Sequence, residues 1–171
     1  MDRDFARAMA ALTTGIYVLT VADGARGHGM SSSWVTQVSG EPPLLMAAVD
    51  NAHFTNPVIM RTRAFGLNIV GWRGKELEAY FYSERARRAD NLDEIAWEPS
   101  PVLKVPWLAL AMIAIEARVV QSTVAGDHTL FIAEPAQIRI DRNQRPLTSL
   151  DLDYVYVGGK QVIRRDRSGW D

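Results

Sequence analysis

Apolar and polar positions alternate along much of this chain with the two-residue period of half-buried β-strands. Such stretches, rich in β-branched and aromatic residues, predict strands over 16–21, 28–39, 44–49, 64–70, 107–121, 129–140, 154–157 and 162–163. The run 44–49 is apolar at every position, as expected of a strand buried on both faces. Turn signals separate the strands frequently, which predicts a mainly β antiparallel barrel or sandwich rather than a parallel sheet.

Three short helices are expected beside these strands. Asp2 can cap the first helix, whose apolar residues at helical spacing are Phe5, Met9 and Leu12. Asn56 and Pro57 have the residue types of a cap and a first turn, and a third helix is expected over 75–81. The charged segment 84–98 is expected to form a solvated surface. Pro135 inside the 129–140 strand requires a sheet edge or a bulge there.

The amino-acid composition restricts the classes of protein to which this chain can belong. The length of 171 residues suits a single domain spanning 1–171, and 47% hydrophobic with 23% charged residues is typical of a soluble globular protein. A formal net charge of −1 provides no global field to attract nucleic acid or an anionic membrane. The chain has no cysteine, which excludes disulfides and thiolate chemistry. With an acidic start and no long apolar segment, we expect a cytoplasmic location.

The most unusual stretch of the chain is a polar strand. Ser31, Ser32 and Ser33 follow one another directly before Trp34, which is rare in a core strand. Hydroxyls and unpaired backbone N–H groups beside a flat aromatic surface suit a ligand with a polar edge and a planar ring. From the pattern alone, an edge strand or β-bulge whose serines bond their own backbone is an equal alternative.

Motifs in this stretch carry a family resemblance. Gly29-Met-Ser-Ser-Ser-Trp-Val-Thr-Gln-Val-Ser39, followed by Pro42-Pro-Leu44, resembles the signature of the flavin reductase family, the FMN-binding split barrels. Further segments match in the same order at 14–18, 65–70, 126–132 and 158–160, so the resemblance covers roughly residues 5 to 160. It implies a split barrel, a Greek-key-like antiparallel barrel with a few flanking helices, that forms a homodimer.

The resemblance also implies cofactor-binding residues. It places the flavin along the serine-rich segment and its phosphate in the loop that follows the next strand. The residues concerned are Ser31, Ser32, Ser33, Trp34, Asp50, Asn51, His53 and Thr55. His53 stands where the family has a serine, and Asp50 is expected to turn its carboxylate away from a phosphate. Without the resemblance, Thr55 is equally well explained as a helix-cap hydroxyl.

Two further residues have roles that depend on the resemblance. His128 follows a glycine turn, and by pattern alone such a loop histidine is a surface residue. The resemblance places it at the mouth of the flavin pocket, where it would orient a nicotinamide donor. Lys160 follows a glycine pair that is typical of a hairpin turn, and the resemblance makes it a cofactor contact. The three histidines lack metal-ligand spacing, so no metal site is expected.

The implied function is hydride transfer from NADH or NADPH to bound FMN, with FAD as an alternative flavin. Reduced flavin would then serve a partner oxygenase or an electron-acceptor protein. Two other functions stay open: an FMN-binding electron-transfer protein without its own nicotinamide site, and a non-catalytic binder of a deazaflavin or haem-like ligand. Apolar residues on both faces of 105–115 suggest a twofold interface on that strand. The alternative is that the segment 75–95 covers them.

Overall fold

An antiparallel seven-stranded sheet organises the computed structural model, which describes residues 2–88, 90–141, 143–158, 161–166 and 169–170. The strands are β1 (Tyr17–Asp23), β2 (Arg26–Ser32), β3 (Val35–Gly40), β4 (Pro43–Asp50), β5 (Ala64–Ile69), β6 (Trp97–Pro99), β7 (Pro106–Leu108), β8 (Ile113–Ala125), β9 (His128–Ile140), β10 (Tyr154–Gly158), β11 (Gln161–Asp166) and β12 (Gly169–Trp170). The large sheet has the order β2-β1-β5-β8-β9-β4-β3, while β6-β7 and β10-β11-β12 form two small sheets. The mainly β, antiparallel prediction is confirmed.

The two edges of the large sheet are consecutive in sequence. β2 ends at Ser32 on one edge, and β3 begins at Val35 on the other. Three Cα–Cα steps span at most about 11 Å, so the sheet must roll until its edges approach. The carbonyl of Trp34 accepts the N–H of Ala48 at 3.0 Å and holds the crossing against β4. The prediction of one continuous strand over 28–39 is therefore wrong, because its halves pair with different neighbours, β1 and β4.

The main core lies on one face of the rolled sheet. On β4, Leu45, Ala47 and Val49 are buried, whereas the intervening residues, such as Ala48, are only half-buried. The expectation that 44–49 is buried on both faces is wrong, since the second face borders the cavity described below. Pro135 behaves as predicted: it pairs with Ala117 at a register shift, beyond the last β4 partner of β9.

The apolar stretch 105–115 is covered within the chain. It divides into β7, which ends at the buried Leu108, and the start of β8, with Ala111 buried in the link between the two strands. These two residues pack in one cluster with Leu77 and Phe81 of the third helix, α3 (Lys75–Phe81). The prediction of a single strand over 107–121 with an uncovered apolar face is wrong, and the alternative cover by the segment 75–95 agrees with the structure.

The other two helices, α1 (Arg3–Ala10) and α2 (Thr55–Thr62), differ in detail from their predictions. Asp2 caps α1 as predicted, but the helix buries Ala6 and Ala10 and leaves Phe5 exposed, and Leu12 lies exposed beyond its end. α2 begins at Thr55 after Phe54, so Asn56 is not its cap. The Asn56 amide instead donates to the carbonyl of Val49 at 3.2 Å. None of the helices in the described residues has the length and apolar character of a membrane span.

Asn68 joins three strands inside the protein. Its side chain is fully buried on β5, and its Oδ1 accepts the N–H of Leu108 on β7 at 2.8 Å. Its Nδ2 donates to the Thr20 hydroxyl at 3.1 Å and lies 3.3 Å from the carbonyl of Val18, both on β1. Because a buried amide is stable only when bonded, these contacts fix how β7 sits on the sheet.

We expect Asn68→Ala to lower the free energy of unfolding by about 2–3 kcal/mol, since it leaves the Leu108 N–H buried without an acceptor. Urea unfolding followed by circular dichroism measures this change. The control is Asn143→Ala at an exposed asparagine, for which we expect a change within about 0.5 kcal/mol. Equal losses in the two variants would contradict the role assigned to Asn68.

Candidate functional site

A cavity of about 870 Å³ opens where the two sheet edges approach each other. The serine-rich crossing from Ser31 to Trp34 forms one wall, and Asp50, His53 and His128 form a second. The remaining lining comes from α3 with the turn that follows it, and from β10. Ligand pockets typically measure roughly 300–1,000 Å³, so this cavity is large enough for two ring systems.

The open edge of β2 contributes backbone groups to the cavity. The Asn91 side chain pairs with both backbone groups of Gly29, at 2.9 Å to the N–H and 2.6 Å to the carbonyl. Gly29 therefore faces away from β1. In an antiparallel ladder the direction repeats every second residue, so the N–H and C=O of Ser31 also face outward. Ser31 lines the cavity, and no described residue bonds the hydroxyls of Ser31, Ser32 or Ser33.

Trp34 supplies a flat aromatic surface. Its ring centroid lies 4.6 Å from that of His128 and 5.6 Å from that of Tyr156. Gly158 closes a third side: a Cβ at this position would lie 3.2 Å from the indole, and its φ of +94° also favours glycine. The indole is thus held in place by three neighbours beside the cavity.

His53 is held by the first turn of α2. Its Nδ1 accepts the N–H of Thr55 at 3.2 Å, which leaves the proton of the neutral ring on Nε2. Burial lowers the pKa of His53, the charge of His28 lowers it further, and Asp50 opposes the change. The neutral ring is therefore favoured, with Nε2–H as its donor.

Asp50, Asn51 and Thr55 have different surroundings. Asp50 lines the cavity, but its Oδ1 turns back to accept the N–H of Ala52 at 2.8 Å. Thr55 is fully buried, and its hydroxyl lies 3.0 Å from Nδ1 of His53 and 2.9 Å from the sulfur of Met30. A direct phosphate contact by Thr55 stays a prediction; in the structure its backbone orients His53.

Asn51 is exposed and links two loops instead of lining the cavity. Its N–H donates to the carbonyl of Asp127 at 2.9 Å, and its Oδ1 accepts the hydroxyl of Thr129 at 2.7 Å. These bonds hold the loop after β4 against the β8–β9 turn. A cofactor contact by Asn51 stays a prediction. Lys160 lies outside the described residues, so its predicted contact also stays a prediction.

His128 is buried at the start of β9 and borders the cavity. Its Nδ1 lies 2.6 Å from Oδ1 of Asp127, and this hydrogen bond lowers the pKa of the exposed Asp127 carboxyl. With Nδ1–H donating to Asp127, the neutral ring presents Nε2 as an acceptor. The structure therefore brings His128 together with Trp34, as the sequence motifs implied.

The cavity also has lining residues that the sequence analysis missed. Glu78 comes from α3 and Tyr82 directly follows its end, while Arg87 comes from the next turn and Tyr154 from β10. Their distance in sequence from the serine-rich segment gave no signal that they share a site. The one local signal is Glu78 itself, a carboxylate directly after Leu77 on the apolar side of a helix.

The family model for the flavin reductase like domain matches residues 9–160, most of the chain. This chain belongs to that family. The match includes the serine-rich crossing, both histidine-bearing loops, α3 and β10, so most of the cavity lining lies within the family domain. The resemblance drawn from the sequence motifs is confirmed.

Three similar proteins illustrate the relationship. The chain is 33% identical to a flavin reductase (NADPH) from Lentzea aerocolonigenes, over 76% of this chain and 75% of that protein. It is 28% identical to an NADH:riboflavin 5'-phosphate oxidoreductase from Streptomyces pristinaespiralis, covering 84% and 81%. Among solved structures, the styrene monooxygenase flavin reductase from Pseudomonas putida superposes with a TM-score of 0.74 at 27% identity, covering 85% and 91%.

The groups on the cavity walls fit a flavin. The Ser31 backbone offers a donor and an acceptor side by side, which suits the pyrimidine edge of the ring. The indole of Trp34 offers an apolar wall, and the Nε2–H of His53 offers a donor for a phosphate oxygen. Donor, acceptor and apolar groups thus occupy the walls in a combination that a planar, phosphorylated ring requires.

Proposed function

We propose that this protein is an NAD(P)H-dependent flavin reductase that passes hydride from a nicotinamide donor to FMN. The observation that carries the proposal is the convergence of the free Ser31 edge, the Trp34 ring and the two histidine-bearing loops on one large cavity. The names of the relatives support the same reaction, with NADPH as donor in one and NADH in another. FAD stays an alternative flavin.

The residues of the crossing would hold the flavin. Ser31, Ser32 and Ser33 would bond its polar edge and ribityl hydroxyls, and Trp34 would flank the ring. His53 would donate to the phosphate, with Asp50, Asn51 and Thr55 shaping that loop, and Lys160 is proposed as a further contact. When bound, the flavin supplies the two-electron acceptor that the protein's own side chains lack. The protein contributes position and orientation.

His128 is the residue proposed to orient the donor. Its Nε2 acceptor can take a hydrogen bond from a carboxamide N–H, and Asp127 and Trp34 fix the ring in place. Hydride transfer itself requires no base from the protein, so His128 would act by alignment. An imidazole at this position therefore affects the rate of reduction more than the affinity for flavin.

The proposal extends to the protein's assembly and setting. The whole chain, 1–171, would form one split-barrel domain, and two copies would form a homodimer, as the family resemblance implies. A partner oxygenase that consumes the reduced flavin is supported by the relative that serves a styrene monooxygenase. An electron-acceptor protein is the alternative partner. A cytoplasmic location is supported by the absence of cysteine.

The direct test is anaerobic titration of the FMN-loaded protein with NADH and with NADPH. We expect the visible absorption of oxidised flavin to bleach fully with one equivalent of the preferred donor. Free FMN under the same conditions is the control for uncatalysed reduction. A protein that binds FMN but is reduced by neither donor would be an electron carrier, and this result would contradict the proposal.

For His128→Ala we expect reduction of bound FMN by the donor to slow by roughly ten- to hundred-fold, because the donor loses its alignment. The dissociation constant for FMN should stay near that of the wild type. Stopped-flow spectroscopy measures the first quantity and fluorescence titration the second. Photoreduction of the same variant is the internal control, and an equal slowing of photoreduction would refute a role in orienting the donor.

A further inference from the structure

The wall formed by α3 and β10 contains buried polar groups with no partner among the described residues. Glu78 is 7% exposed, and its carboxylate accepts no hydrogen bond from the described part of the chain. The hydroxyls of Tyr154 and Thr14 are buried and equally unbonded there. All three residues line the large cavity. Because buried polar groups are normally bonded, this wall has the character of a ligand subsite.

These groups occupy one region of the cavity. Tyr82, the residue directly after the end of α3, donates its N–H to the carbonyl of Glu78 at 3.0 Å, so the two residues are one helical turn apart and lie on the same side. Tyr154 stacks on Tyr82, with ring centroids 4.4 Å apart. Burial raises the pKa of Glu78, the charge of Lys75 lowers it, and the charge of Asp153 raises it further. Asp153 directly precedes Tyr154 in the chain, so this end of β10 lies within electrostatic reach of Glu78. Thr14, from the segment before β1, also lines the cavity.

The subsite is separate from the groups proposed to hold flavin. Those groups lie on the crossing and in the His53 loop, whereas Glu78 lies on α3. A second cavity of about 300 Å³ adjoins it beyond the stacked pair, bordered by Tyr82, Asp153 and Tyr154. A ligand that extends from the flavin past Glu78 therefore has space on the far side for another ring.

The chemistry of the subsite indicates its ligand. A carboxylate that lacks donors can accept hydrogen bonds from both hydroxyls of a ribose diol, and it repels a phosphate at the same position. Arg87, which could attract a phosphate, is paired with Glu84 at 2.9 Å. Two other cations lie nearby, since Lys75 is within electrostatic reach of Glu78 and Arg164 borders the second cavity. It is therefore the Glu78 carboxylate itself that favours a diol over a phosphorylated ribose.

We propose that Glu78, with Tyr154 and Thr14, binds the adenosine ribose of the nicotinamide donor and selects NADH over NADPH. This inference rests on the proposed function, since it assigns the donor for the same cavity. It makes Glu78 a specificity-determining residue that contacts the substrate away from the reacting atoms.

The test measures binding rather than turnover. Isothermal titration of NAD⁺ and NADP⁺ into the FMN-loaded protein should show NAD⁺ bound about ten-fold or more tightly by the wild type. Glu78→Gln should reduce or abolish this preference, and Tyr154→Phe should weaken NAD⁺ binding several-fold. The matched control is Glu76→Gln, the same change at an exposed residue of the same helix, which should leave both affinities unchanged.

The outcomes separate this inference from the proposed function. If the protein prefers NAD⁺ and this preference depends on Glu78, but NADH does not bleach the bound flavin, the subsite is supported and the reductase function is refuted. Equal binding of NAD⁺ and NADP⁺ by the wild type, or binding of neither, would overturn the subsite. A loss of FMN affinity in Glu78→Gln with unchanged NAD⁺ affinity would overturn it as well. If Glu78→Gln does not fold, Tyr154→Phe decides alone, and unchanged NAD⁺ affinity in that variant overturns the subsite.

Discussion

The structure depends on a crossing of two residues. Ser33 and Trp34 join strands at opposite edges of the seven-stranded sheet, so the sheet can form only if it rolls and brings those edges together. At the crossing neither edge is covered by a further strand. On a flat sheet, unpaired N–H and C=O groups at an edge can pair with another chain. Here these groups are enclosed in a cavity, where a ligand can form hydrogen bonds with them. The same constraint produces the fold and the site.

Asn91 limits how much of the β2 edge stays unpaired. Its amide bonds both backbone groups of Gly29 and also the carbonyl of Ala86, at 2.8 Å. It therefore acts as a short substitute for a neighbouring strand and attaches the segment after α3 to the edge of β2. The hydrogen bonds from Asn91 do not extend to Ser31. The edge of β2 is therefore bonded at Gly29 and, within the described residues, unpaired at Ser31, where the cavity begins.

Much of the fold could be predicted from local pattern. Alternation located most strands, and Pro135 marked its bulge correctly, because these effects act over a few residues. The failures involve distant partners. The break at Ser33 arises because the two halves of one polar segment pair with different strands, and the division of 107–121 arises because α3 covers it. Asn56 was misassigned as a cap because its amide bonds a strand carbonyl that the local sequence does not reveal.

The site was predicted in part for the same reason. The serines, Trp34 and His128 carry motif signals, and the structure brings them to one cavity. Glu78 and Tyr154 carry no such signal, since only the packing of α3 and β10 places them there. Thr55 and Asn51 have the residue types of ligand contacts, yet the structure gives them bonds that orient His53 and the Asp127 loop. Only the three-dimensional structure distinguishes the residues that line the cavity from the residues that support them.

The central claim is that the open backbone edge at Ser31 binds the flavin ring, and a pair of variants tests it most directly. Ser31→Ala removes the hydroxyl, and Ser31→Pro also removes the outward N–H that the strand ladder does not use. With thermal midpoints checked for both, titration with lumiflavin should show binding weaker for Ser31→Pro than for Ser31→Ala by about 1 kcal/mol, roughly five-fold. Equal affinities in the two variants would contradict the claim.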